Sequence, residues 1–397
     1  MDAMTKGAER RNRIWLDADS GSFETFRREV SRTTQAEDWP NAAEISKNIP
    51  IYDGNRVRAA AGDAQERQTL MAEWAELFMS GPGVLVIRGA ITDIEALDAA
   101  TAIFDRIIED EKAGTSGGGG DHFAKAGAND RVWNAVEKHC LADPSNFARY
   151  YASDAIALAS EAWLGRGYQM TAQINRVNPG GAAQTPHRDY HLGFMTPEQM
   201  TAYPSHIHAI SPVLTLQGAV AHCDMPLESG PTLFLPYSQT FFEGYLAFGR
   251  KEFQDYFAEH HVQLPLKKGD AVFFNPALMH GAGTNRSADI RRMANLLQVS
   301  SAFGRAMETV DRSRMAIALY PALIEAKQGG ASERDLRNAV ATSAEGYAFP
   351  TNLDRDPPKG GLAPKNQAER MLEALTEGMA PEAFAEAIAA YDERRRS

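Results

Sequence analysis

The stretch that decides the reading is Gln184-Thr185-Pro186-His187-Arg188-Asp189-Tyr190-His191. In extended chain, residues i and i+2 project to the same side. His187 and Asp189 therefore bring an imidazole and a carboxylate to one point. Two histidines and one carboxylate on one face of a metal leave three coordination positions open, the arrangement of non-haem Fe(II) centres. The second histidine has to come from a distant strand. His280, in Phe273-Phe274-Asn275-Pro276-Ala277-Leu278-Met279-His280-Gly281-Ala282-Gly283, is the best placed. A lone histidine is more often a surface or satisfied core residue. His206 and His208 form a second H-x-H pair on a strand-like run, but no carboxylate at suitable spacing accompanies them.

Around these residues lies a series of segments in a fixed order. Ile174-Asn175-Arg176 precedes the H-x-D pair. Gly230-Pro231-Thr232-Leu233-Phe234-Leu235-Pro236-Tyr237-Ser238 follows it, then Lys268-Gly269-Asp270-Ala271-Val272-Phe273-Phe274 leads into His280, and Arg291 comes eleven residues later. The series, from about residue 170 to 303, resembles the phytanoyl-CoA dioxygenase family of iron- and 2-oxoglutarate-dependent oxygenases. It departs from that pattern at Tyr237, where glycine is usual, at Ala282, where a serine is frequent, and at Gln217, where an aromatic residue is common.

The resemblance implies Fe(II) held by His187, Asp189 and His280, with O2 and 2-oxoglutarate as cosubstrates. It also implies decarboxylation of 2-oxoglutarate to succinate and CO2, coupled to hydroxylation of a small molecule. Asp189 favours oxygenation, since related halogenases carry a small residue there. Arg291 falls where the family places the arginine for the far carboxylate, with Arg286 and Arg292 as rivals. A guanidinium suits that task, being planar and permanently charged. Gln173, Asn175, Thr185 and Gln217 are candidates for the cosubstrate's further polar contacts. Arg176, Arg188, Tyr190 and His191 flank the metal segment and are candidates for meeting an anionic substrate, with fold support as the equal alternative. Two rivals remain: a cupin-like metal enzyme that uses no 2-oxo acid, and a binding protein that has lost turnover.

The expected fold is a mainly β core with helices, a double-stranded β-helix (jelly-roll) of the α+β class with helical extensions at both ends. Short strands separated by turns suit that architecture. Residues 1–60 read as an N-terminal extension wrapped over the core or partly disordered. Residues 61–304 form the oxygenase domain, and residues 305–397 a helical extension packing on the core or on a second subunit. Residues 65–79 read as an amphipathic helix, with Leu70, Trp74, Leu77 and Phe78 on one side. Thr92 and Glu95 read as the capping box of the next helix. Residues 130–140 and 145–164 also read as helical. The glycine run 117–120 reads as a loop, with His122 and Phe123 as possible contacts.

Length and composition set the remaining bounds. The chain has 397 residues, enough for a large core. Its net charge of −11 argues against nucleic acid and anionic membranes as partners. It has no apolar run of membrane-spanning length and no signal peptide at its start. Its two cysteines, Cys140 and Cys223, lack metal-ligand spacing and suit a reducing cytoplasm.

Overall fold

Two nine-residue strands, Gln169–Val177 and Arg292–Ser300, pair antiparallel along their whole length and form the spine of the protein. The computed structural model describes residues 3–114, 127–189 and 195–397. Residues 117–120, His122, Phe123, Tyr190 and His191, read above as a loop and as candidate contacts, lie outside the described residues.

The strands in chain order are β1 (Glu44–Ser46), β2 (Ile49–Asp53), β3 (Val84–Arg88), β4 (Asn129–Val132), β5 (Gln169–Val177), β6 (Thr215–Ala221), β7 (Leu233–Phe234), β8 (Val262–Gln263), β9 (Ala271–Phe274), β10 (His280–Gly281) and β11 (Arg292–Ser300). Eight of them form one sheet in the order β1-β2-β3-β9-β6-β11-β5-β4. It is antiparallel except where β2 runs parallel to β3. A smaller sheet has the order β10-β7-β8. The protein is thus a mixed α+β structure dominated by a large, mainly antiparallel sheet.

The pleat divides the large sheet into two faces. Met170, Ala172, Ile174, Leu297 and Val299 point outward and join the main core with the helices. Val86, Ala219, Ala221, Val272 and Phe274 point inward and pack with Phe234 of the small sheet. Both faces of the central strands are therefore covered. The helix Ala64–Met79 lies on the outer face through Leu70, Trp74, Leu77 and Phe78, the four residues its periodicity singles out. The helices Arg312–Gln328 and Pro381–Arg395 pack into the same core through Leu319, Tyr320, Phe384 and Ile388. Pro381 opens its helix, where a missing N–H costs nothing.

Several local readings are corrected. The N-terminal extension is not only a wrap, because its β1 and β2 extend the main sheet. Residues 130–140 begin as β4, and the helix there is Ala135–Ala142. Residues 145–164 form two helices, Pro144–Tyr150 and Asp154–Leu164. The helix Ile94–Lys112 is capped by Asp93, whose carboxylate accepts from Ala96 N at 3.0 Å, and not by Thr92. His206 and His208 lie on the helix Ser205–Ile210, where residues two apart do not share a face. No strand brings their rings together, so that pair offers no metal site.

Candidate metal centre

His187 and His280 are joined backbone to backbone. His187 N donates to His280 O at 2.9 Å, and His280 N donates to His187 O at 3.0 Å. This isolated antiparallel bridge ties the site segment to the start of β10. The H-x-D stretch is otherwise not a regular strand, yet its extended course still brings His187 and Asp189 to one side. The imidazole centroids are 4.5 Å apart. Asp189 Oδ1 lies 3.7 Å from His187 Nε2, and Asp189 Oδ2 lies 3.6 Å from His280 Nε2. One donor atom from each of the three residues lies within 4.8 Å of the others, the only such metal-competent cluster among the described residues.

The same device sets both tautomers. His187 Nδ1 donates to Thr185 O and His280 Nδ1 donates to Leu278 O, each at 2.8 Å and each two residues back. Both Nε2 lone pairs are thereby left for a metal. Burial, and then the neighbouring His280, push the His187 pKa below its ordinary value, which keeps the ring neutral. Burial opposes the charge on Asp189, but the adjacent imidazoles and the Gln217 amide overcome it and hold the carboxyl well below the usual carboxylate range. Two neutral imidazoles and one carboxylate fit Fe(II), and one face of the ion stays open.

The triad lines a cavity of about 490 Å³ between the two sheets. Its walls are largely aliphatic and aromatic, with Val86, Leu264, Val272, Phe274 and Leu296 among them. Gln173, Asn175, Thr185 and Gln217 all line it, and so does Ala282.

Arg291 does not line the cavity. It is exposed and stands just before β11. Arg292 takes the inward position, 6% exposed, followed on the same face by Ala294, Leu296 and Gln298. Its Nη1 donates to Ser229 O at 3.2 Å and Gly283 O at 3.5 Å. No carboxylate among the described residues pairs with it. Burial lowers its pKa to about 10, so it stays charged at neutral pH.

Two further expectations are corrected. Arg176 lies on the outer face of β5, where its guanidinium pairs with Asp130 at 2.9 Å and Asp105 at 2.6 Å. Arg188 is buried and points away from the cavity. It donates to the carbonyls of Ala277, Phe241 (3.0 Å) and Gln239 (3.2 Å), and its guanidinium carbon sits 4.7 Å from the centre of the Tyr245 ring. A Cβ on Gly244 would fall 1.3 Å from its Nη1, so the glycine leaves room for this strut. Both arginines support the fold.

Sequence reasoning missed Arg131, Gln298 and Met307 on the cavity wall. Arg131 donates to Gln173 Oε1 at 3.0 Å. Gln298 could have been found as the lone carboxamide in the apolar run Leu296-Leu297-Gln298-Val299. Arg131 was hidden by reading β4 as helix, and nothing local marks Met307.

A three-donor centre on the wall of a sheet-lined cavity fits a mononuclear non-haem metal protein. The family model described as Phytanoyl-CoA dioxygenase (PhyH) matches residues 79–293, or 215 of the 397 residues, and the chain belongs to that family. No curated protein matches it. Among solved structures, it is similar to SnoN, a non-heme alpha ketoglutarate dependent epimerase from nogalamycin biosynthesis. That match has 19% identity over 62% of this chain and 87% of that one, with a TM-score of 0.40. The carbocyclase SnoK of the same biosynthesis matches at 19% identity over 59% and 86%, with a TM-score of 0.43. HygX from Streptomyces hygroscopicus, with nickel, 2-oxoglutarate and hygromycin B bound, matches at 14% identity over 59% and 88%, with a TM-score of 0.42. No helix among the described residues is long and apolar enough to cross a membrane.

Proposed function

We propose that the protein is an Fe(II)- and 2-oxoglutarate-dependent oxygenase that hydroxylates a small molecule. On this reading the two facing sheets are the double-stranded β-helix of the enzyme. His187, Asp189 and His280 hold the iron. Arg292, not its neighbour Arg291, holds the far carboxylate of 2-oxoglutarate. Iron bound there supplies oxidation of a substrate C–H bond with O2, while 2-oxoglutarate is split to succinate and CO2. Gln173, Asn175 and Thr185 offer polar contacts along the wall, Gln217 is turned to Asp189, and the aliphatic surface excludes water from the reacting centre. Two unpaired cysteines, Cys140 buried and Cys223 half-buried, suit a reducing compartment.

One observation carries the reading. The cavity that holds the triad also holds a buried guanidinium whose protein partners in the described residues are carbonyl oxygens. A buried cation without an anion is unfavourable, so the cavity is built for an anionic ligand. A cupin-like enzyme without a 2-oxo acid would need an anionic substrate to use that charge. The test is anaerobic titration of the Fe(II) protein with 2-oxoglutarate, following the metal-to-ligand charge-transfer band. A substrate screen for stimulated succinate release and O2 uptake follows. No band with 2-oxoglutarate, in a protein that binds one Fe(II), would sink the proposal.

A further inference from the structure

Gln217 lies on β6, faces the cavity and stands opposite Gln298 of β11 in the sheet register. It is 5% exposed. Its amide nitrogen donates to Asp189 Oδ2 and, at 3.3 Å, to Gln298 Oε1. The amide has no choice of orientation, because an ionised carboxylate only accepts. That orientation turns Gln217 Oε1 into an enclosed position where it meets no donor among the described residues. A buried carbonyl left unpaired is unfavourable. The chain tolerates it in order to keep the N–H on Asp189.

We infer that Gln217 is a positioning residue that restricts Asp189 to coordination through one oxygen. The inference rests on the metal-centre reading above. The amide takes one lone pair of Oδ2 and fixes the rotation of the carboxylate, which favours Oδ1, on the His187 side, as the binding oxygen. A carboxylate free to turn can chelate through both oxygens and take up a position that the facial arrangement leaves open. The hydrogen bond prevents this, and three positions stay available for exogenous ligands. The residue reaches from a central strand of the large sheet to a carboxylate on an irregular segment. The main chain of Asp189 is held by its N–H to Pro276 O at 2.9 Å, and Gln217 fixes the carboxylate itself.

The test uses the full-length apo protein and Co(II) alone. Gln217→Met keeps length and volume but has no N–H. Gln217→Asn keeps the amide but is too short to reach, and stands in if the first variant does not fold. Either change should raise the Co(II) dissociation constant about ten- to a hundredfold, the usual effect of losing a partner of a metal ligand. The visible Co(II) spectrum should shift with the altered carboxylate binding, without a matching fall in the thermal midpoint of the apo protein. Gln298→Met, which leaves the contact with Asp189 in place, should change neither quantity. Parent-like affinity and spectrum in the folded Gln217 variant would overturn the inference, as would an equal loss in Gln298→Met. Failure of the parent to bind one Co(II) would instead overturn the metal-centre reading itself.

Discussion

Replacing Arg292 by Ala separates ligand binding from stability. The guanidinium is almost sealed from solvent and is held by two carbonyl oxygens at 3.2 and 3.5 Å. With a pKa near 10 it is charged at pH 7. A carboxylate entering the cavity would find a desolvated, permanently charged partner. Truncating one side of such a pair costs about 2–5 kcal/mol. At about 1.4 kcal/mol per tenfold, that is a rise in the 2-oxoglutarate dissociation constant of roughly thirtyfold to four-thousandfold. The ligand-free protein loses no ion pair, so its unfolding midpoint should hold or rise, as is common where a site keeps an unfavourable charge for function. The assay is the anaerobic charge-transfer titration, with Fe(II) affinity measured alongside and expected to be unchanged. Arg291→Ala is the control and should titrate like the parent. The reasoning fails if Arg292→Ala binds 2-oxoglutarate as tightly as the parent, or if Arg291→Ala is the variant that loses it.

Asp189→Gly should abolish succinate formation and leave weak Co(II) binding through the two histidines; parent-like turnover would show that another carboxylate is the ligand. Arg176→Met should destabilise the fold without raising the 2-oxoglutarate dissociation constant, because it strands Asp130, which is 5% exposed. The cost of breaking a buried pair is about 3–5 kcal/mol, here at the lower end since Lys112 still reaches Asp130 at 2.6 Å. Denaturant unfolding checks this, and an unchanged midpoint would refute it. Burial lowers the His139 pKa to about 4 and the His222 pKa to about 3. The unfolded chain therefore binds more protons than the folded one between those values and the ordinary histidine pKa of about 6.5. Stability should be fully present above that pH and fall as pH drops through the window, by up to about 1.4 kcal/mol per unit per group. His139→Gln should flatten the urea-midpoint profile between pH 6.5 and 4, and a profile as steep as the parent's would refute the assignment.

The metal-competent triad was legible because residue type and spacing suffice for it. An H-x-D pair needs only extended backbone, and the segment before His280 ends at a strand that can pair with it. The arginine that faces the cavity was misread by one position for a physical reason. Strand β11 is covered on both faces, so its sequence does not alternate between polar and apolar. The apolar set Met293, Leu297 and Val299 looks like a barrel interior but packs against helices, while Ala294, Leu296 and Gln298 face the cavity. A one-residue shift in a strand exchanges its faces, and Arg292 replaced Arg291 accordingly. Arg176 and Arg188 were ambiguous for another reason. Their partners Asp105, Asp130 and the carbonyls of residues 239, 241 and 277 lie far along the chain, and no local pattern announces them.

The mutual bridge between His187 and His280 has a consequence for how the protein acquires its metal. The two imidazoles are set by main-chain pairing and by carbonyls two residues upstream. Their spacing therefore exists before any ion arrives. A pre-shaped claw of this kind follows the general affinity order, in which copper, nickel and zinc outrank iron. Recombinant protein should therefore emerge carrying metal that reflects what the expression medium supplied. Restoring the iron form is then an exchange problem: strip with a chelator, and reload under reducing, oxygen-free conditions before a stronger competitor returns.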